Sequence, residues 1–250
     1  MTNFLKMSAI ALALTCNFAA AQSGPEVTPY RPGAGSPAIL SATGYFEVEG
    51  GYDFAKAGGV KVDALGLTLK YGLSDTIGLF IGVPYLRVRE GGQSERGLAD
   101  SVAGLKWVNK LNAESAWGLQ FTSTLPTAKS GFGSDNPSLG ITAMYGVDFS
   151  GFHGDLNLGS RYAGDKTLGL SRNSFFYSAG ISRAVGGGFG VGLEVSGTRQ
   201  SGASTATAVL GALTYTVSRN LALDATLSRA RSGGENGNGV GIGMTYLFSK

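Results

Sequence analysis

Glu47 and Glu49 stand two residues apart in the run Phe46-Glu47-Val48-Glu49-Gly50-Gly51-Tyr52. On an extended strand such positions share a face, roughly 6–7 Å apart. Two carboxylates at that spacing suit glycoside chemistry or an oxygen-ligated calcium ion. Charge pairing with Lys70 on the next strand accounts for them equally well. His153 is the only histidine and Cys16 the only cysteine. A Ser–His hydrolase needs its base held beside a nucleophile. His153 sits at a short polar turn, where a lone imidazole is normally solvated. No G-x-S-x-G elbow, phosphate loop or metal-ligand cluster occurs in the chain. The expectation is therefore no enzyme, with no catalytic residue, no metal and no cofactor.

What positions these residues is an unusual chain. Of 250 residues, 41 are Gly, and only 15% are charged. Ordinary soluble domains carry about 7% Gly and about 25% charge. A net charge of +3 is too small for an electrostatic nucleic-acid binder, so no nucleic-acid partner is expected. The apolar content excludes disorder. After the first twenty residues no apolar run approaches the ~20 residues of a membrane helix.

The N-terminus has the parts of a secretory signal. Lys6 precedes the apolar run Met7 to Thr15, and Ala19-Ala20-Ala21 offers small residues for cleavage before Gln22. Residues 1–21 are read as a cleaved signal peptide. Cleavage there removes Cys16 and leaves a mature chain without thiols. Residues 22–42, with Pro25, Pro29, Pro32 and Pro37, read as an extended periplasmic lead-in without period, able to tuck into the near end of the next unit.

From Thr43 onward apolar and small or polar residues alternate. Val240, Ile242, Met244, Tyr246 and Phe248 interleave with Gly241, Gly243, Thr245, Leu247 and Ser249. Period two places one set on each strand face. Twelve such strands are expected, about 44–54, 64–73, 77–89, 100–111, 116–126, 138–149, 154–163, 174–185, 189–199, 206–217, 221–229 and 239–249. Their length matches the ~9–11 residues that a tilted strand needs to cross a bilayer. Short polar turns alternate with six longer loops, 55–63, 90–99, 127–137, 164–173, 200–205 and 230–238. The pattern predicts an all-β fold: a closed antiparallel up-and-down transmembrane barrel over residues 43–250, both ends on the short-turn side. A soluble sandwich is the alternative, but each strand is greasy on one face without needing a second sheet.

Tyr71, Trp107, Trp117, Phe149, Phe189, Tyr215, Tyr246 and Phe248 gather beside the short turns and predict an aromatic girdle. By parity the lumen is lined by Glu47, Glu49, Asp53, Lys70, Lys106, Gln120, Asp148, Asp155, Asn157, Arg161, Glu194 and Asp224. Two readings of that wall stand open: ion pairs that hold the barrel's shape, or a conduit whose charges select solutes. Phe80, Met144, Phe176, Leu210 and Leu247 also point inward, suiting either a greasy solute or packing against a plug. Twelve strands lie between filled and openly aqueous barrels, so the passage is expected to be narrow.

Several short motifs point to a family. They are Tyr30-Arg31-Pro32-Gly33-Ala34-Gly35-Ser36-Pro37, Gly44-Tyr45-Phe46-Glu47-Val48-Glu49-Gly50-Gly51-Tyr52, Tyr71-Gly72-Leu73-Ser74-Asp75, Gly82-Val83-Pro84-Tyr85, Ala103-Gly104-Leu105-Lys106-Trp107 and Leu125-Pro126-Thr127. In this order they resemble the proteobacterial outer-membrane transporter family named for the meta-pathway of phenol degradation. The resemblance implies a twelve-strand barrel and uptake of aromatic or other hydrophobic compounds. The expected function is an outer-membrane channel or transporter for passive uptake of small solutes. The expected partners are outer-membrane lipid, the barrel-assembly machinery and the solute. A structural or adhesive barrel with a filled lumen is the alternative, and a lipid-modifying enzyme a more distant one.

Overall fold

The computed structural model describes residues 24–248, so the expected signal peptide lies outside the described residues. The strands are β1 (Phe46–Ala57), β2 (Val60–Gly72), β3 (Ile77–Glu90), β4 (Gln93–Leu98), β5 (Ser101–Lys110), β6 (Ser115–Leu125) and β7 (Leu139–Phe149). They continue as β8 (Phe152–Tyr162), β9 (Asn173–Gly186), β10 (Phe189–Gln200), β11 (Ala206–Ser218), β12 (Leu221–Ser232) and β13 (Glu235–Leu247). Every pairing between these strands is antiparallel, and β1 pairs with β13, from Glu47 opposite Leu247 to Ala57 opposite Gly237. The sheet is therefore a closed barrel with no helix among the described residues.

Closure follows from the alternation. The outward faces carry Leu158 at 70%, Leu227 at 69% and Ile242 at 62% exposure, with no second layer over them. A continuous apolar outer face of this kind is covered by hydrocarbon, and in hydrocarbon an open sheet edge leaves unpaired amides that cost several kcal/mol each. Joining first strand to last removes both edges.

Thirteen strands make twelve staves, because β4 and β5 share one. Both pair with β3, β5 up to Val102 opposite Gly82 and β4 from Leu98 opposite Tyr85. Pro84, which has no N–H to give the ladder, stands beside the break. The break turns Asp100 toward residues 126–138, where its carboxylate accepts from the Ala128 and Ser134 amides at 3.2 and 2.8 Å. That loop covers the free edge of β4, with Lys129 N donating to Leu98 O at 2.9 Å.

Three of the expected long loops are tight hairpins instead. Residues 55–63, 90–99 and 230–238 turn on Gly58-Gly59, Gly91-Gly92 and Gly233-Gly234. Both glycines of each pair have positive φ, from 53° to 89°, as a two-residue turn matching strand twist requires. The segments flanking the first of these turns broke the greasy alternation with Lys56 and Lys61 and so read as loop. They are strand that has left the hydrocarbon.

Candidate functional site

Residues 26–42 have no regular secondary structure and run inside the barrel. An irregular segment must find partners for its backbone groups. Here the inner wall supplies them. Glu47 accepts from Thr28 N at 2.9 Å and from the Thr28 and Ser41 hydroxyls. Glu49 accepts from the amides of Tyr30 and Arg31, both at 2.8 Å. Glu194 accepts from Ala34 N and Gly35 N at 2.8 and 3.0 Å. Asn157 accepts from Ser36 N, and Gln120 from the Ser36 hydroxyl. Lys70 and Lys106 donate to the carbonyls of Thr28 and Pro37 at 2.7 and 2.9 Å. The four prolines of the lead-in have no N–H, which shortens the list of donors to satisfy.

Under this segment lies a buried charge cluster. Lys70 Nζ is 2.7 Å from Glu47 and 3.1 Å from Glu49, and Lys70 and Glu47 are fully buried. Register explains the meeting, since Glu47 stands directly opposite Lys70. Lys106 is equally buried but has no carboxylate ion pair among the described residues. Its ammonium instead lies 3.4 Å from the centroid of the Tyr30 ring, with Lys70 at 4.1 Å from the same centroid. The ring's negative face attracts both cations. The glutamate pair is thus fully engaged in holding Lys70 and the lead-in.

Arg31 is held differently. Its guanidinium lies against Gly51 and Gly243, which face each other across the β1–β13 seam. A Cβ at either glycine would collide with it. From there it reaches Asp53 on β1 at 3.2 Å and Asp224 on β12 at 3.4 Å.

The inward apolar residues divide. Met144 packs with Ala38 and Val108, and Leu40 lies against that cluster. Phe80 meets the Tyr30 ring edge-on at 6.4 Å. Leu210 lines an open space instead. Near the short turns, His153 is not freely solvated: its Nδ1 is 2.7 Å from Asp148 and its Nε2 3.2 Å from Asp155. Arg161 donates to the Ser138 hydroxyl at 3.1 Å near the opposite end. Among the described residues no group of three or more His, Cys, Asp and Glu is placed to hold a metal ion.

The open space is a cavity of about 680 Å³ between the lead-in and the β9–β12 wall. Its wall side is made of small residues, among them Gly180, Ser182, Ala184, Gly192, Ala212 and Thr214, beside Leu210. Asp155 is part of its lining, but Asp155 Oδ1 is shielded from solvent on the side of Gly146 and has no hydrogen-bond partner. Sequence reasoning named Asp155, Asn157, Glu194, Leu210 and Asp224 of this lining but not its small residues, because Gly, Ala, Ser and Thr carry no signal of their own.

The outer face at the short-turn end is ringed by aromatic pairs. Trp107 meets Trp117 edge-on at 4.8 Å, Phe46 meets Tyr71 at 4.5 Å, and Phe189 stacks on Tyr215 at 4.5 Å. Phe149 stacks on Phe152 at 6.0 Å, and Tyr246 meets Phe248 at 5.2 Å.

Fold and site together define a bacterial outer-membrane type of β-barrel whose lumen is partly filled by its own N-terminal segment. A family model described as "Putative MetA-pathway of phenol degradation" matches residues 47–250, and the chain belongs to that family. Among solved structures, an outer-membrane channel of the COG4313 group from Pseudomonas putida F1 is similar, with TM-score 0.70 at 15% identity, over 87% of this chain and 99% of that one. The KdgM porin is similar with TM-score 0.59 at 12% identity, over 80% and 99% of the two chains. The CymD monoaromatic hydrocarbon channel follows with TM-score 0.53 at 11% identity, over 83% and 89%. These likenesses are likenesses of fold. No curated protein sequence is significantly similar to this chain.

Proposed function

We propose that this protein is an outer-membrane channel for passive uptake of small solutes, apolar and aromatic ones foremost, exported by a signal peptide cleaved after Ala21 and inserted by the barrel-assembly machinery. The observation that carries the reading is the cavity of about 680 Å³ left open beside the lead-in. Binding sites for small molecules commonly enclose ≈ 300–1,000 Å³, mostly apolar with a few placed polar groups. Here Leu210 and the small wall residues supply the apolar surface. The Ser182 and Thr214 hydroxyls in the same lining supply hydrogen-bond partners for a hydroxyl on an aromatic ring. Glu194 and Asp224 at the cavity's edge serve the lead-in, and the solute's path follows the small residues between them.

The competing reading, a structural barrel with a filled lumen, draws on the many bonds that fix residues 28–37. Proteoliposome swelling with small phenols, small sugars and no solute separates the two. Uptake of phenols by the intact chain, rising severalfold in a variant lacking residues 24–42, supports the channel. No flux from either folded protein overturns it.

A further inference from the structure

The outward face changes character at the end opposite the aromatic girdle. One cross-strand row reads Ala225, Ile242, Tyr52, Leu65, Tyr85 and Leu98, from β12 through β13, β1, β2 and β3 to β4. It is wholly apolar or aromatic. Two residues further along each strand, about 6–7 Å higher, the row reads Leu227, Val240, Phe54, Asp63, Arg87 and Arg96. Two more residues on, it reads Arg229, Asn238, Lys56, Lys61, Arg89 and Ser94. That last row contains four cations and no anion.

Lys56 stands directly opposite Lys61, and Lys61 directly opposite Arg89. Like charges directly opposite on one face destabilise a sheet. Asp63 relieves only one of them, through Arg89 at 2.6 Å. Lys56, Lys61 and Arg229 are exposed and make no ion pair among the described residues. Arg89 Nε is buried without a hydrogen-bond partner. General solubility does not explain the placement, because β6, β7, β8 and β11 carry no Lys or Arg on their outward faces. Apart from Arg183 on β9 and Arg199 on β10, the outward cations of the strands are gathered on β12 and on β1 to β4, stacked above the apolar band.

We propose that this row, Lys56, Lys61, Arg89 and Arg229 with Arg87 and Arg96 beneath, binds the phosphate groups of an anionic glycolipid of the outer leaflet. The charges complement phosphate oxygens, and the apolar row beneath receives acyl chains. The geometry fits a ligand charged at its head and greasy below, rather than a soluble polyanion. The inference rests on the outer-membrane placement proposed above.

Native mass spectrometry of the detergent-solubilised full barrel tests it, with bisphosphorylated lipid A, its dephosphorylated form and phosphatidylglycerol as probes. Bisphosphorylated lipid A binds the native protein, and affinity falls about fivefold for each cation removed, so about a hundredfold in K56Q/K61Q/R229Q. K56R/K61R keeps the affinity, as does Arg172→Gln, which removes a cation that sits over the Tyr162 ring. Equal binding of dephosphorylated lipid A overturns the phosphate role. Equal binding of phosphatidylglycerol overturns the glycolipid. An equal loss in Arg172→Gln overturns the row as the site. Solute flux read on the same proteins separates this inference from the channel: lost lipid binding with unchanged flux leaves the channel standing, and the reverse leaves the row standing.

Discussion

The two halves of the inner wall are built on opposite principles. The half formed by β1, β2 and β5 presents Glu47, Glu49, Lys70 and Lys106, all buried. The half formed by β9 to β12 presents mostly Gly, Ala, Ser and Thr around open space. Charge on the first half is spent on the protein's own N-terminal segment. The second half grips that segment only at Glu194, through the Ala34 and Gly35 amides, and at Asp224, through Arg31, and open space remains between these points. A row of charges inside a barrel is therefore weak evidence for a charged solute. The room lies beside the small residues of β9 to β12.

The strongest way to break this contrast is to fill that room. Ala212→Trp projects into the cavity and should abolish phenol flux in the swelling assay. Gln120→Trp on the gripping side displaces Ser36 and should raise flux. Equal effects from the two would end the distinction.

The next largest effect sharpens the gripping half. Lys70→Met leaves Glu47 and Glu49 as uncompensated buried charges, and should cost about 3–5 kcal/mol in unfolding from detergent. Lys106→Met removes a buried cation that has no carboxylate ion pair. It should be neutral or stabilising by about 1–4 kcal/mol in the same titration. A comparable loss in both would show that the Tyr30 ring and the Pro37 carbonyl are as good a partner as two glutamates.

The smallest effect lies outside the lumen. The Asn136 side-chain amide and the Asp135 and Asn136 backbone amides donate to the Asp165 carboxylate and hold it below its ordinary value of 3.8. A lowered folded value contributes stability above the ordinary value that is lost as pH falls through the folded one. Amide exchange at Asp135 and Asn136 should therefore quicken below pH 3.8, and Asn136→Ala should move that change toward higher pH.

Much of the architecture was legible in the alternation. Leu139, Ile141, Ala143 and Tyr145 declared β7 at once, because lipid demands one greasy side and tolerates anything small on the other. The same logic failed above the hydrocarbon, where Lys56 and Lys61 interrupt the greasy face yet the ladder continues to Gly58-Gly59. Backbone pairing does not need an oily face to persist. The pairing of Glu47 with Lys70 was readable, since register on neighbouring strands places them opposite. The seating of residues 28–37 was not. Their contacts run from backbone amides to side chains far along the chain, Glu194 to Ala34 among them, and such bonds leave no period in a sequence.

Arg31 clasps Asp53 on β1 and Asp224 on β12, passing over the glycine that β13 contributes between them. A residue made early in synthesis thus waits for nearly the last ones before its clasp can shut. Filling the bore and finishing the cylinder become one event, so an incompletely synthesised chain has neither a wall nor a stopper.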